Sequence, residues 1–323
     1  MNVLVVGGAG FLGANLVRRC LSEPDANVTV LDSLDPHLRA SKKNLEAVWP
    51  RIRFIRGDMR DETLVAEVVQ GQDIIFNCAA QTSHPLSLQY PLLDAEINCL
   101  GNLKLLEAIR LLNSRAVVVY TSSSTVIGKA TGLVDEDHRE RPLEIYSANK
   151  GVAEKYYRIY HTVHDLNTVV LRFSNLFGPY GKGYPEFGFV NYFIHLAWTD
   201  QDLLVYGSGA QTRNVLYVED ATDILWQAAG DPRLRGGVFL ATSSEHRSVK
   251  EIARTVVDVM GRGKIVHVEW PDERRRIEID DVQFSSQVLR KLTGWTPRYD
   301  LASGLERTRS VLEQADTPIR SVP

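Results

Sequence analysis

The sequence predicts an α/β protein built on a doubly wound parallel sheet, with a smaller mixed α/β unit in its C-terminal half. In the first half of the chain, short apolar segments alternate with amphipathic helical segments, and most of the apolar segments are rich in β-branched residues. Repeated strand–helix–strand units imply right-handed crossovers that place helices on both faces of the sheet. The length of 323 residues, at about 150 residues per domain, suggests about two folding units.

The first half contains every strand that the pattern predicts for this sheet. The predicted strands are Val3–Val6, Val28–Leu31, Ile52–Ile55, Asp73–Asn77, Val117–Tyr120 and Thr168–Arg172. The predicted helices between them are Leu12–Leu21, Glu62–Val69, Asp94–Leu112 and Ser147–His164.

The second half is less regular. Residues Tyr180–Gly188 are rich in Gly, Pro and Tyr, which predicts a long loop, and later helix and strand signals include Val249–Met260 and Leu301–Glu313. We therefore expect one unit over residues 1–175, to which later segments return, a second over residues 176–315, and a frayed tail over residues 316–323.

Composition and charge exclude several classes of protein. Hydrophobic residues make up 44% and charged residues 24% of the chain, which excludes a mostly disordered protein. The net charge of -3 argues against nucleic acid or an anionic membrane as the main partner. No apolar run approaches the roughly 18 residues of a membrane helix, and the N-terminus does not resemble a signal peptide.

The cysteines and histidines predict neither disulfides nor a metal site. The three cysteines include no CxxC pair and are expected to be buried thiols in a reducing compartment, so we expect a cytoplasmic protein. The eight histidines include one close pair, His161 and His164, with no cysteine or carboxylate to complete a ligand set.

A glycine-rich turn follows the first predicted strand and opens the first predicted helix. Gly7, Gly10 and Gly13 stand three residues apart, the spacing that allows a tight turn, close approach to a pyrophosphate, and close helix–strand packing. Asp32 ends the second predicted strand, where a carboxylate accepts a hydrogen bond from a ribose 2′-hydroxyl and repels a 2′-phosphate. The pattern therefore predicts a dinucleotide site and favours NAD over NADP.

A second pattern predicts catalytic residues. Tyr146 and Lys150 lie four residues apart and share one helix face, where a lysine ammonium lowers the pKa of a phenol and favours the phenolate that a general base needs. This spacing alone is common on helices without a catalytic role. Ser123 follows the fifth predicted strand, at the sheet edge where such proteins bind ligands, and could hold the substrate oxygen. We therefore predict that Tyr146, Lys150 and Ser123 are catalytic.

Taken together, these motifs resemble the extended short-chain dehydrogenase/reductase family, specifically its NAD-dependent nucleotide-sugar epimerase/dehydratase branch. The similarity covers about residues 1–315. The motifs that carry it are Gly7–Gly13, Asp32, Gly57-Asp58, Cys78–Gln81, Asn98, Ser122–Gly128, Tyr146–Lys150, Leu171–Asn175, Gly207–Asp220 and Gly294–Pro297.

The resemblance implies a Rossmann-type fold with bound NAD. Asp58 and Met59 would meet the adenine, and Asn98 and Phe173 would flank the nicotinamide. The residues assigned to the cofactor are Gly7, Gly10, Phe11, Leu12, Gly13, Asp32, Ser33, Asp58, Met59, Ala79, Ala80, Gln81, Asn98, Ser122, Tyr146, Lys150 and Phe173.

The resemblance also implies a nucleotide-diphosphate sugar as substrate. Arg213 suits the diphosphate by its own chemistry, because a guanidinium chelates phosphate oxygens, although it could also be a surface arginine. His84 either contacts substrate or caps a loop. The residues assigned to the substrate are Thr82, Ser83, Ser123, Ser124, Asn175, Arg213 and Arg274.

Family chemistry begins with oxidation at carbon 4 of the sugar, for which Tyr146 takes the hydroxyl proton. A 4,6-dehydratase then uses an Asp-Glu pair beside the serine or threonine, but the chain has Ser124 and Thr125 there. We therefore expect a 4-epimerase. The alternatives are a dehydratase, 2- or 5-epimerase, decarboxylase or reductase of the same family and, more remotely, a non-catalytic NAD-binding sensor or scaffold.

Three departures from the family pattern leave the sugar and the nucleoside open. Ile127 replaces a tyrosine, Trp270 replaces an arginine, and Glu144-Ile145 precede Tyr146 where proline or a small residue is frequent. Trp270 could stack on a base or sugar, or simply pack at the surface.

The resemblance further implies a homodimer. The segments Asp94–Leu112 and Ser147–His164 would pair with those of a second copy in a four-helix contact. Leu100, Leu103, Ala153 and Tyr157 offer apolar surface for it, unless they face the chain's own sheet.

Overall fold

A computed structural model describes residues 1–276, 278 and 281–316 of the chain. Its strands are β1 (Asn2–Val6), β2 (Asn27–Asp32), β3 (Ile52–Arg56), β4 (Ile74–Asn77), β5 (Val117–Ser123), β6 (Gly132–Val134), β7 (Asn167–Phe173), β8 (Asn175–Phe177), β9 (Asp202–Tyr206), β10 (Thr212–Tyr217), β11 (Val238–Ala241), β12 (His246–Ser248), β13 (Lys264–Val268) and β14 (Val282–Phe284). Its α-helices are α1 (Phe11–Leu21), α2 (Glu62–Val68), α3 (His84–Gln89), α4 (Pro91–Ala95), α5 (Gly101–Leu112), α6 (Ile145–His164), α7 (Phe189–Trp198), α8 (Val218–Gly230), α9 (Val249–Met260), α10 (Asp272–Arg276), α11 (Gln287–Thr293) and α12 (Leu301–Asp316).

The main sheet has seven parallel strands in the order β3-β2-β1-β4-β5-β7-β11. All six predicted strands belong to it, which confirms the predicted fold class. Between β1 and β4 the strand order reverses direction, and ligands of such sheets bind in the crevice outside the carboxyl ends at this point. The edge strand β11 comes from the second half of the chain and was not predicted as part of this sheet.

Both faces of the sheet are apolar because helices cover both. Val3 and Val5 point into one core with residues of α1 and α8, whereas Leu4 and Val6 point into the other with residues of α5 and α6. Side chains on a strand alternate between faces, so a strand covered on both sides shows a continuous apolar run. This is why the predicted strands read as unbroken hydrophobic segments.

The prediction of a single α-helix over Asp94–Leu112 is wrong. A π-helical turn, Glu96–Leu100, separates α4 from α5. The buried Asn98 in this turn receives a hydrogen bond from the backbone N–H of Gln81 (3.1 Å) and donates one to its carbonyl (2.8 Å). These contacts tie the widened turn to the chain after β4, and apolar periodicity contains no signal for such a turn.

The second half builds a smaller mixed α/β unit. A three-stranded sheet, β12-β10-β8, and the pair β13-β9 surround a core with α7, α9 and α12. The signals at Val249–Met260 and Leu301–Glu313 are helices α9 and α12, and α9 begins with a capping box formed by Ser248 and Glu251. The division at residue 175 stays a prediction, and residues 317–323 of the predicted tail lie outside the described residues.

Two of the four residues predicted for the dimer contact lie in the interior of the chain, so this part of the prediction is wrong. Ala153 and Tyr157 are fully buried in the chain's own core, because they lie on the face of α6 that packs against the sheet. Leu103 is half-buried against the same core. Leu100 is 49% exposed and remains available for a partner.

All three cysteines are free thiols, of which Cys20 is buried and Cys78 and Cys99 are half-buried. None of the described helices combines the length and apolar composition that a bilayer crossing needs. Among the residues that the structure describes, no group of three or more His, Cys, Asp or Glu side chains could hold a metal ion.

Candidate active site

The glycine turn between β1 and α1 leaves no room for side chains at two of its three positions. Gly7 has a φ of +78°, and a Cβ there would lie 2.6 Å from the backbone nitrogen of Ala79. A Cβ on Gly13 would lie 2.1 Å from the Gly7 carbonyl oxygen. A Cβ on Gly10 would come no closer than 3.3 Å to that oxygen. Backbone packing therefore explains Gly7 and Gly13, whereas the absence of a side chain at Gly10 favours a ligand approaching the turn.

A cleft opens at this turn, along the carboxyl ends of β1, β2, β4, β5 and β7. Residues predicted for the cofactor and for the substrate line it together. They are Gly7, Gly10, Phe11, Leu12, Gly13, Asp32, Ser33, Asp58, Met59, Ala79, Ala80, Thr82, Ser122, Ser123, Ser124, Tyr146, Lys150, Phe173 and Asn175.

Asp32 is held at the end of β2 by two backbone bonds. Its carboxylate accepts hydrogen bonds from the N–H groups of Ala9 (2.9 Å) and Leu34 (2.8 Å). Burial raises the pKa of Asp32, although these bonds and the charge of Lys182 oppose the rise. The geometry fixes a carboxylate beside the glycine turn, as a ribose-binding acid requires.

These residues fit NAD. In the described part of the chain, no side chain caps the N-terminus of α1, so its first N–H groups are available to a pyrophosphate. Gly10 would admit the pyrophosphate, Asp32 would hold the ribose, and Asp58 and Met59 would meet the adenine. When bound, NAD supplies an acceptor for a hydride.

The predicted catalytic residues converge at the other end of the cleft. Tyr146 lies in the first turn of α6, is 8% exposed, and hydrogen-bonds to Ser123 at the end of β5. Lys150 is buried one turn later, where its ammonium donates to the Thr121 carbonyl (2.6 Å) and lies 4.2 Å from the Tyr120 ring centroid. The sheet edge and the start of α6 thus bring together three predicted groups, of which Ser123 and Lys150 are 27 positions apart in the chain.

Burial governs the proton affinities of these groups. It lowers the pKa of Lys150 to about 8, against the charge of Glu154, which raises it. Burial also raises the pKa of Tyr146, and the Glu144 carboxylate adds to the rise, while the bond to Ser123 lowers it. The chain alone therefore does not show the lowered pKa of Tyr146 that the Tyr-x-x-x-Lys spacing predicts.

A chain of hydrogen bonds runs from Ser123 to the N-cap of α6. The Ser123 and Thr125 hydroxyls are 2.8 Å apart, and Thr125 and Ser147 are 2.7 Å apart. Ser147 bonds through its hydroxyl and its backbone N–H to the buried Glu144 carboxylate. Glu144 in turn lies 3.0 Å from Nδ1 of His84.

A buried ion-pair network lies behind the catalytic residues. Arg172 on β7 donates to the Glu154 carboxylate on α6 at 2.6 and 3.0 Å and to Glu140 at 2.8 Å. Ser122 donates to Glu154 at 2.5 Å. The network joins β5, α6 and β7 directly beneath the cleft.

Several predicted site residues do not line the cleft. Gln81 and Asn98 are buried and bond to one another, so they support the cleft wall. Ser83 is fully buried, and its hydroxyl caps α3 by accepting a hydrogen bond from the backbone N–H of Leu86. Arg213 on β10 forms an ion pair with Glu278. The side chain of Arg274 lies outside the described part of the chain.

Two departures from the family pattern also lie away from the cleft. Ile127 is fully buried in a small core with Val134, Leu240 and Val282. Trp270 packs against Tyr206, with ring centroids 5.2 Å apart. Neither side chain lines the cleft.

The loop between β8 and α7, together with the first turn of α7, contributes residues that sequence reasoning missed. Lys182 and residues Phe187–Asn191 line the cleft. Burial lowers the pKa of Lys182 to about 8, while the Asp32 charge opposes the change. The loop is anchored over the first unit, since Arg39 lies 4.5 Å from the Tyr184 ring centroid. A Gly- and Tyr-rich loop has no periodic pattern that would reveal which of its side chains turn inward.

Comparison with known proteins agrees with this geometry. A model of the NAD dependent epimerase/dehydratase family matches residues 3–239. A protein named putative UDP-glucose 4-epimerase from Methanocaldococcus jannaschii is 29% identical over 308 residues, which cover 94% of this chain and 96% of that protein. A dTDP-glucose 4,6-dehydratase from Mycolicibacterium smegmatis is 28% identical over 319 residues, which cover 95% and 92%.

A solved structure is similar over nearly the whole chain. The UDP-glucose 4-epimerase from Thermus thermophilus, crystallised as a complex with NAD, superimposes with a TM-score of 0.87 at 27% identity. The match covers 98% of this chain and 100% of that chain.

Proposed function

The chain belongs to the NAD-dependent epimerase/dehydratase family, and from this premise we propose that it is a nucleotide-sugar 4-epimerase. The family match confirms the resemblance drawn from the motifs, and NAD is the cofactor. The residues around Ser123 and Tyr146 support 4-epimerisation as the reaction.

The observation that carries the proposal is the convergence of Tyr146, Ser123 and Lys150 in the cleft that also holds the glycine turn and Asp32. A dinucleotide seated on the turn extends along the strand ends toward these groups. Tyr146 takes the proton of the sugar hydroxyl at carbon 4, and Ser123 holds the same oxygen. Lys150 places its ammonium behind both, one helical turn from Tyr146. A scaffold that only bound NAD would need none of the three.

Epimerisation is favoured over 4,6-dehydration by the chemistry of Ser124 and Thr125. Both residues line the cleft where a dehydratase places its acid/base pair. Hydroxyls do not exchange protons with carbon near neutral pH as carboxylates or imidazoles do. The oxidised sugar then turns in the cleft and is reduced again on its other face.

The proposed substrate carries a nucleoside diphosphate on its sugar. Asn175 lines the cleft at the start of β8, and its amide donates to the Asn214 carbonyl at 2.9 Å. Residues Phe187–Asn191 close the same side. The inner part of the cleft thus belongs to the sugar, and the side toward the second unit belongs to the nucleotide.

The proposal includes a cytoplasmic homodimer. Leu100 and Leu111 are separated by three helical turns and are exposed, as are Ile159 and Val163, one turn apart on α6. Helices α5 and α6 pack side by side. Together these four side chains form what we call the α5/α6 apolar face, which fits a second copy in a four-helix contact.

The test is a panel of nucleoside-diphospho-hexoses incubated with the enzyme and NAD, with products identified by NMR. We expect the carbon-4 epimer and no stable ketone. A stable keto-deoxy product, or a sugar altered only at another carbon, would overturn 4-epimerisation.

The role of Tyr146 is tested separately. Tyr146→Phe should lower turnover by about 10²-fold or more, since it removes a general base. The variant should keep its NAD content, because the glycine turn and Asp32 are untouched. Unchanged turnover would remove Tyr146 from the mechanism.

A further inference from the structure

His84 and Glu144 form a pair in the cleft that the proposed reaction does not use. His84 is the first residue of α3 and lines the cleft with its side chain 39% exposed. Its ring lies 5.0 Å from that of Tyr146, edge to face. Glu144 is the N-cap of α6, and its side chain is 4% exposed. The pair therefore places a histidine beside the proposed base and backs it with a buried carboxylate.

The hydrogen bonds around Glu144 show which group donates and which accepts in its contact with His84. Glu144 accepts from the backbone N–H of Ser147 and from the hydroxyls of Ser147 and Ser87. Burial raises the pKa of Glu144, but the hydrogen bonds from His84 and Ser147 oppose burial, and the pKa is lowered overall. A carboxylate surrounded by donors is ionised and can only accept.

Because Glu144 can only accept, Nδ1 of His84 must carry the hydrogen of the 3.0 Å contact. In the neutral imidazole, Nε2 then has a free lone pair. Within the described residues, no hydrogen bond engages Nε2. The arrangement is a carboxylate–histidine dyad, in which the carboxylate fixes the tautomer and supports the imidazolium that forms when Nε2 takes a proton.

Ser123 and Thr125 lack this capacity. The Ser147 hydroxyl contacts both Glu144 and Thr125, donating toward each, and the Thr125 and Ser123 hydroxyls bond to one another. A hydroxyl has neither the carboxylate nor the imidazole nitrogen that takes a proton from carbon near neutral pH. His84 is thus the group beside Tyr146 with an unengaged basic nitrogen.

We propose that His84, held by Glu144, is a second acid/base residue that exchanges a proton at a carbon next to the carbon-4 ketone. The inference rests on the proposed function for the ketone. Nε2 removes the hydrogen of carbon 3 or carbon 5 as a proton, and the C–H electron pair forms the carbon–carbon double bond of an enolate. The carbonyl π pair moves onto the carbon-4 oxygen, which Tyr146 stabilises by donating its hydrogen. Return of a proton from Nε2 restores the ketone, so no oxidant or reductant is consumed.

Exchange with solvent follows from the exposure of His84. The His84 imidazolium borders the open side of the cleft, so it can exchange its proton with water before it returns a proton to carbon. The enzyme should therefore introduce solvent hydrogen at carbon 3 or carbon 5, an activity beyond inversion at carbon 4.

The experiment starts from the ketone, so that oxidation of the sugar is not required. A nucleoside-diphospho-4-keto-6-deoxyhexose is incubated in D₂O with the purified enzyme, and deuterium at carbons 3 and 5 is followed by NMR against an enzyme-free control. We compare wild type with His84→Gln, which keeps a donor for Glu144 but has no basic nitrogen. His267→Gln serves as the matched control, because His267 is exposed on β13 and bonds to the Gly207 carbonyl.

We expect wild type and His267→Gln to exchange deuterium at equal rates, and His84→Gln to be about 10²-fold slower or more. Nitrogen-15 NMR of His84 should show that the neutral imidazole carries its hydrogen on Nδ1. The NMR readout does not depend on turnover.

Two results would overturn the inference. One is wild-type exchange no faster than the enzyme-free rate, and the other is unchanged exchange in His84→Gln. Failure of the proposed function gives a different result. A protein that exchanges deuterium into the keto sugar but does not invert carbon 4 of an unoxidised sugar contradicts only 4-epimerisation.

Discussion

At the scale of single residues, Gly10 and Gly13 differ in what their missing side chains make room for. Gly13→Ala would force a methyl group to 2.1 Å from the Gly7 carbonyl, so we expect a loss of about 1–3 kcal/mol of unfolding free energy. Gly10→Ala meets no such contact and should cost less than about 1 kcal/mol, but should lower the NAD content of the purified protein.

Denaturant unfolding and chromatography of released NAD measure the two effects separately. Equal NAD content in Gly10→Ala and wild type would show that the turn does not approach the cofactor at this position.

Lys150 provides a prediction about pH. Burial lowers its pKa from 10.5 to about 8. Between these values the unfolded chain holds a proton that the folded chain has lost, so the contribution of Lys150 to the unfolding free energy rises as pH increases. The unfolding free energy of wild type, measured relative to that of Lys150→Met, should therefore rise by about 3 kcal/mol from pH 8 to 10.5. Urea unfolding of both proteins across this pH range measures the change. A relative unfolding free energy that did not vary with pH would contradict the lowered pKa of Lys150.

At the scale of secondary-structure elements, the Arg172–Glu154 pair joins β7 to α6. Both side chains are 4% exposed or less, and Arg172 Nη1 has no partner among the described residues. Removing one partner leaves an unpaired buried charge, so Arg172→Met should cost about 3–5 kcal/mol. The double variant Arg172→Met with Glu154→Leu should recover much of this loss.

The neighbouring pair of Lys155 and Glu140 supplies the control. Lys155 is 55% exposed, so Lys155→Met should change the unfolding free energy by about 0–1 kcal/mol. Denaturant titration of all three variants distinguishes the cases. If Lys155→Met and Arg172→Met were equally mild, the network would not hold β7 against α6.

At the scale of the whole molecule, the α5/α6 apolar face predicts a dimer. Ile159 is 51% and Val163 63% exposed on the single chain. The double substitution Ile159→Glu with Val163→Glu places charge in the proposed contact and should yield a monomer, because an unpaired charge is costly to bury. Leu133→Glu is the control, since Leu133 is 68% exposed on β6, away from this face.

Sedimentation at micromolar concentration measures the outcome. Wild type and Leu133→Glu should sediment as dimers. A wild-type monomer at that concentration would exclude the four-helix contact.

Local pattern was sufficient to predict six of the seven strands of the main sheet, the glycine turn and the positions of Asp32, Ser123, Tyr146 and Lys150. Each depends on short-range rules: strands covered on both faces are continuously apolar, glycine spacing defines a phosphate turn, and a four-residue spacing shares a helix face. Strand ends on one sheet edge then bring these residues together.

Only the tertiary structure decided which other side chains enter the cleft. The charge of Lys182 acts on Asp32 from a loop 150 positions later, and His84 contacts Glu144 across 60 positions. Gln81 and Arg213 are directed elsewhere by partners distant in the chain, Asp94 and Glu278. The π turn at Asn98 and the pairing of β11 with β7 in the main sheet likewise depend on contacts between residues distant in the chain. Contacts between residues distant in the chain depend on packing of the folded molecule, and sequence periodicity carries no record of them.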